Sequence, residues 1–396
     1  MEPKPITMVE YYQAQAFNPV LIRVEDPLVW QDHVRKRRHL YERHLGLPLG
    51  LLRDKRVLEF GCNSGENALV LAACGARLTF VEPNDQVAPR LEELFRAFDL
   101  GDRIDAFHQS DLGSFPTGDT FDLVVAEGFL CCLADRDALL EKLLAHVRPG
   151  GFGVTSFNDR FGGLLEMLKR AILFRAYALA PVADIQSEAA LALARDFFEA
   201  DFKHLNASRS FERWWRDTLV DPVYSDTYLW SYPEILPILA RGGAQMCATS
   251  PGWSAWEHFT WYKNVPDPES VVPKWLAEWR CHLFYFLTGL APAGPEAPAS
   301  EAVIEEVARL VHCLSDRGHC LSLDLASPAS APLLLEYLSA HPHPQARAFA
   351  VELATLLGSL DSGSGTELLE TYRAATLLRS LWGTAYHYLC FQKPLT

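Results

Sequence analysis

The sequence is short of several things, and each shortage narrows what the chain can be. It has no positive excess: 36 lysines and arginines face 50 aspartates and glutamates, for a formal charge of −14 over 396 residues. A nucleic-acid groove needs a basic face, so that partner is disfavoured. The one dense basic run, Arg35-Lys36-Arg37-Arg38, is expected to be the solvated face of a helix, with phosphate binding as the minority reading. No uninterrupted apolar run is long enough to span a bilayer, so no membrane partner is expected. The opening residues MEPKPITMVEYYQ lack the apolar stretch of a secretory signal. The nine cysteines include no Cys-x-x-Cys pair and no Cys/His cluster at zinc spacing, so no metal is expected. Cys131, Cys132 and Cys247 sit in apolar runs and read as reduced core residues, which points to a cytoplasmic protein. No repeat of fixed period is convincing.

What is present is concentrated in residues 56–83, RVLEFGCNSGENALVLAACGARLTFVEP. The apolar strand 57–60 leads into a glycine turn, Gly61-Cys62-Asn63-Ser64-Gly65. A helix follows, with Ala68, Leu69, Leu71 and Ala72 on its buried side. Gly75 ends it, and a second strand, 77–81, stops at Glu82. The glycines allow a sharp turn and close approach of a ligand. The helix start offers free N–H groups. Glu82, about twenty residues past the turn, is placed to accept hydrogen bonds from a ribose diol.

Glu59-Phe60-Gly61-Cys62-Asn63-Ser64-Gly65 resembles motif I of the class I S-adenosylmethionine (SAM) dependent methyltransferases: an acid, an apolar residue, then Gly-x-Gly-x-Gly. Here the middle glycine is Asn63, a residue that tolerates positive φ. Further along, Ser110-Asp111-Leu112 follows a third strand at 103–109. The phrase FDLVVAEG (121–128) is similar to motif II and its loop, and Val147-Arg148-Pro149-Gly150-Gly151 to the turn before the family's fifth strand. The resemblance covers roughly residues 50–265. It implies SAM as cofactor, held by Glu59, Gly61, Cys62, Asn63, Gly65, Glu82, Pro83, Asp111, Leu112 and Glu127. Asp111 would bond the adenine amino group, with Leu112 beside the ring; capping of a turn is the competing reading for Asp111. The DNA amino-methylation motif Asn/Asp-Pro-Pro-Tyr/Phe is absent.

The alternation of strands and helices predicts a doubly wound, seven-stranded, mostly parallel α/β sheet. Its antiparallel last strand is expected at 257–263, EHFTWYK, after strand six at 244–250. N-terminal helices (1–50) precede the sheet domain (51–265), and an all-helical C-terminal domain (266–396) follows. Asp26-Pro27 reads as the start of a helix running to about His44. Residues 386–393 alternate as a strand would. Between strands five and six, 158–232 form a long insertion dense in aromatic and polar residues, expected to face the substrate. Within it and upstream, Tyr12, Arg209, Trp214, Tyr224, Tyr228 and Trp230 are the substrate candidates, against plain aromatic packing. Trp214 and Trp215 are adjacent, so one of them is expected in the core. Glu127, His204 and Tyr228 are the candidate bases for an amine or hydroxyl acceptor, whereas a carboxylate acceptor needs none.

These readings add up to a methyltransferase acting on an oxygen or nitrogen of a small molecule or peptide, with a homodimer through the helical domain as a further possibility. The alternatives are a degenerate SAM-binding interaction protein, a nucleic-acid methyltransferase, and an aminopropyl transferase, for which no Asp-rich stretch stands out after strand four.

Overall fold

In a computed structural model, which describes all residues except 1–9, 12–21, 181, 183, 206–208, 255–262, 264–267, 295, 322–329 and 396, the chain divides into two units. One comprises 21–157, 232–276 and 387–396; the other comprises 1–20, 158–231 and 277–386. This division cuts across the three segments expected from sequence.

The first unit is built on a sheet. Its strands are β1 (Arg56–Phe60), β2 (Arg77–Val81), β3 (Ile104–His108), β4 (Phe121–Ala126), β5 (Val147–Asp159), β7 (Gln245–Ser250) and β8 (Tyr386–Gln392); the two-residue β6 (Leu229–Trp230) pairs with Asn158 and Asp159 at the end of β5, which like it are grouped with the other unit. The order is β3-β2-β1-β4-β5-β8-β7. Neighbours from β3 to β5 are parallel, and β7 and β8 are antiparallel. β1 and β2 are buried at four successive positions each, the pattern of parallel strands covered on both faces. The helices Glu66–Ala73, Val87–Ala97 and Arg136–His146 follow strands as expected.

The doubly wound fold is therefore as expected, with one correction. Among the described residues the antiparallel partner of β7 is β8; the strand expected at 257–263 lies, but for Lys263, outside them. The C-terminal segment is accordingly not all helical, because its last residues enter the sheet. Gly153 on β5 makes room for β8: a Cβ there would lie 2.1 Å from the Phe391 ring.

The N-terminal helix Pro27–Arg38 begins as anticipated. Asp26 caps it by accepting the Leu28 N–H at 2.8 Å, and Pro27 occupies the first turn. A π-turn, His39–His44, continues it.

The second unit is helical. Helix Leu164–Leu179 is buried on nearly every side, including Lys169 and Arg170, and packs against Glu301–Arg317. Helices Glu188–Phe202, Pro332–Ala340, Ala346–Ser359 and Gly365–Ala374 belong to the same unit. No described helix is long and apolar enough to cross a membrane.

Candidate functional site

The site forms where the neighbouring strands β1, β2 and β4 end. After β1 the chain passes through three residues at positive φ: Gly61 at 66°, Asn63 at 48° and Gly65 at 86°. Asparagine thus takes the glycine-like position expected of it. Gly61 is demanded by contact as well as by angle, since a Cβ there would sit 2.7 Å from Cδ1 of Phe129. Gly65 then caps the helix Glu66–Ala73, whose first N–H groups have no partner within the helix.

Glu82, at the tip of β2, ties the strand to the turn. Its carboxylate accepts the N–H of Asn84 at 3.0 Å and of Asn63 at 3.3 Å. Burial raises its pKa and these two donors pull it back part of the way. A carboxylate has roughly four acceptor sites, so room for a diol remains.

Glu59, the next-to-last residue of β1, is 3% exposed, and its Oε2 has no hydrogen-bond partner among the described residues. Burial and then the nearby Glu127 push its pKa up to about 8, with Arg37 opposing. Leaving a buried acceptor open costs about 1–3 kcal/mol. The atom therefore suits a donor brought by a ligand, such as the ammonium group of an amino acid.

Glu127, just past β4, departs from the expected role of base. Its Oε1 accepts from Arg37 Nη2 at 2.6 Å and from Tyr41 Oη at 2.9 Å. Its Oε2 accepts from Arg37 Nη1 at 2.8 Å and from Asn67 Nδ2 at 3.2 Å. A base needs an open lone pair, and four donors saturate this carboxylate. Glu127 instead anchors the N-terminal helix.

Arg37 is the residue that sequence reasoning missed. Arg35, Lys36 and Arg38 are exposed, as expected of the basic run, but Arg37 is 6% exposed and turned inward. A faint signal existed. His33, Arg37 and Tyr41 recur every fourth residue and mark one helix face. All three are buried, and His33 Nε2 lies 3.1 Å from the Glu66 carbonyl.

The other cofactor candidates divide. Leu112 and Cys62 are buried, and Pro83 is exposed. Burial, with Glu59 and Glu82 nearby, raises the Cys62 thiol well above its usual range, so it is no thiolate nucleophile. Asp111 is exposed and accepts from Ser114 N at 2.7 Å and Ser114 Oγ at 2.9 Å, bonds that lower its pKa. In this geometry it caps its own turn.

The remaining candidates belong to the helical unit. His204 is exposed just past Glu188–Phe202, and Tyr228 is half-buried in a single turn of 3-10 helix. Trp214 is fully buried among Phe202, Phe211 and Trp382. Trp215 is equally buried and donates to Tyr177 Oη at 3.0 Å, so both tryptophans are core, not one. Tyr224 donates to Glu166 at 2.8 Å, Arg209 pairs with Asp217, and Trp230 is buried in β6. Tyr12 lies outside the described residues. Among the described residues no group of three or more His, Cys, Asp or Glu could hold a metal ion.

Comparison with known proteins bears on the segment just described. Residues 58–152 match the family model of a methyltransferase domain. No match was found among curated proteins. Among solved structures, the CcbJ methyltransferase from Streptomyces caelestis aligns at 19% identity over 33% of this chain and 51% of its own, with a TM-score of 0.28. The chain thus spans about half the length of CcbJ. The 4+2 cyclase SpnF aligns at 15% identity over 92% of this chain and 82% of its own, with a TM-score of 0.37. The N-methyltransferase NodS from Bradyrhizobium japonicum WM9, in complex with S-adenosyl-L-homocysteine, aligns at 21% identity over 37% and 73%, with a TM-score of 0.29. The family model carries the weight of the comparison.

Proposed function

We propose that this chain, a class I SAM-dependent methyltransferase by the domain at residues 58–152, transfers a methyl group to an oxygen or nitrogen of a small molecule or peptide. The observation that carries the reading is the set of groups around the glycine turn. Gly61, Asn63 and Gly65 shape the cradle, Glu82 retains acceptor capacity, and Glu59 offers a buried open acceptor.

When bound, SAM supplies an electrophilic methyl on a sulfonium. The protein's share is then positioning, which can supply much of the barrier reduction. Glu82 would hold the ribose diol and Glu59 the ammonium end. Asp111 and Leu112 are proposed at the adenine, although Asp111 must share its carboxylate with Ser114. With Glu127 saturated, a carboxylate acceptor, which needs no base, suits the groups at this end of the sheet.

Two binding measurements test the cofactor site. Glu82→Ala is expected to weaken SAM binding by about 1–3 kcal/mol by calorimetry, the scale of losing a charged hydrogen-bond partner. Unchanged affinity would remove Glu82 from the site. The second uses pH. The Glu59 carboxyl is protonated in the free protein below about 8 and must ionise to take an ammonium. SAM affinity should therefore rise with pH between 6 and 8, by at most about tenfold per unit, with proton release on binding. Glu59→Gln should flatten the profile; a flat wild-type profile contradicts the role of Glu59. The acceptor class is tested by radiolabelled methyl transfer across peptide, amino-acid and sugar pools. Binding of SAM without transfer to any of them would favour the interaction-protein alternative.

A further inference from the structure

We propose that Cys247 and Cys390 form a redox couple: peroxide oxidises the exposed Cys247 thiol, Cys390 resolves the product, and the resulting disulfide pins the last strand of the chain to its neighbour. The proposal is independent of the cofactor reading above.

Strand register brings the two residues together. β7 and β8 run antiparallel, with Met246 opposite Phe391, Ala248 opposite Cys390 and Thr249 opposite Leu389. Between the first two of these pairs β7 carries one residue more than β8, which is a β-bulge. The extra residue is Cys247, so Cys247 and Ala248 together face Cys390. Cα atoms opposed across an antiparallel pair lie about 4.5–5.5 Å apart, inside the roughly 4.4–6.8 Å that a disulfide spans. The two thiols are within hydrogen-bonding reach of each other.

Exposure gives the two sulfurs different parts. Cys247 was expected in the core, yet of the nine cysteines it is the one that is exposed. Cys390 is fully buried. Its hydrogen bond to Cys247, and then burial, hold the Cys390 thiol well above its usual range, so it keeps its proton and is not the first to react. The other close pair of sulfurs, Cys131 and Cys132, lies 3.7 Å apart with both residues buried, out of reach of an oxidant in solution.

The chemistry needs hydrogen peroxide and nothing else. The Cys247 sulfur attacks one peroxide oxygen, the O–O bond breaks, and the products are a sulfenic acid on Cys247 and water. The Cys390 sulfur then displaces the hydroxyl from Cys247. An S–S bond forms, the S–O bond breaks, and the Cys390 proton leaves with the hydroxyl as a second water. Two thiols are oxidised and one peroxide is reduced. A dithiol reductant reverses the step by exchange, as suits a transient disulfide in a reducing compartment. The bond would close a loop that contains the whole segment 277–386, and closing a long loop constrains the unfolded chain most.

The test treats the reduced full chain with hydrogen peroxide, caps the remaining thiols with N-ethylmaleimide after unfolding, and maps non-reduced peptides by mass spectrometry. The peptides carrying Cys247 and Cys390 should appear joined, lighter than their sum by the two hydrogens lost, and dithiothreitol should part them. The urea midpoint of the sheet unit should rise on oxidation and return on reduction. Cys247→Ser, a change at an exposed position, should show neither the linkage nor the shift. In Cys390→Ala the Cys247 sulfenic acid should persist long enough for dimedone to trap it. A wild type whose Cys390 is capped by the maleimide after oxidation overturns the proposal. So does Cys247 that ends as a sulfinic acid or as a disulfide between two chains. Linkage with an unmoved urea midpoint overturns the pinning of the strand.

Discussion

Glu127→Ala is expected to cost the sheet unit about 3–5 kcal/mol of stability, the range for breaking one side of a buried ion pair. The side chains of Glu127 and Arg37 are each 7% exposed, so the remaining guanidinium could not recover its hydration without moving the helix that carries it. Tyr41 and Asn67 would lose an acceptor in the same step. Because the chain has two units, the readout is the midpoint of the urea transition that reports on the sheet unit, not a global two-state fit. Replacing both partners with apolar residues should recover most of the loss, since a buried pair removed whole is often nearly neutral. A single-variant loss below about 1 kcal/mol would mean the pair is effectively solvated.

Arg170→Met is the second large effect, in the helical unit. Arg170 is 1% exposed, and its guanidinium ties distant segments together through backbone carbonyls. Nε donates to Gly318 O at 2.8 Å, Nη1 to Thr218 O at 2.9 Å and Nη2 to Asp221 O at 2.7 Å. Methionine keeps the bulk and none of the donors. Each buried carbonyl left open costs about 1–3 kcal/mol, so a loss of at least about 3 kcal/mol in urea melts is expected. A change under about 1 kcal/mol would show that water reaches those carbonyls.

The same arginine sets a pH dependence. His319 Nδ1 lies 2.7 Å from the Ser315 carbonyl, which requires a proton there, so Nε2 accepts from Arg170 Nη2 at 2.9 Å. Desolvation, then Arg170, push the His319 pKa from 6.5 to about 4. The unfolded chain therefore binds more protons than the folded one between those values, and stability falls as pH drops through that window. Removing Arg170 should shallow the slope.

How much of this was legible depends on how far apart in sequence the partners lie. The turn 61–65 and strands β1 and β2 are local, and their signals were complete: positive-φ residues, an apolar run, and an acid at the tip. Arg37 was barely legible: its partner is 90 residues away, and only the four-residue spacing with His33 and Tyr41 marks which of four basic residues turns inward. The place of β8 was illegible for a related reason, since its partner β7 lies more than 130 residues before it. YHYLCFQ alternates as a strand does, but pattern alone cannot say which strands it will lie between. Trp214, Tyr224 and Arg209 drew attention as a polar-aromatic tract, but such a composition describes a helical core as well as a ligand wall. In the structure each of the three has a packing or bonding partner in its own unit.

The position of β8 has a consequence for biogenesis. It lies between β5 and β7, yet it is translated more than 130 residues after β7. Until those residues emerge, β5 and β7 each carry an open row of backbone donors and acceptors, and the ladder between them cannot close. Pairing across such a separation is slow, and open edges invite association with other chains. The nascent sheet thus waits, half assembled, for nearly the whole helical unit to be synthesised, a window in which a holding chaperone would matter more than at any later time.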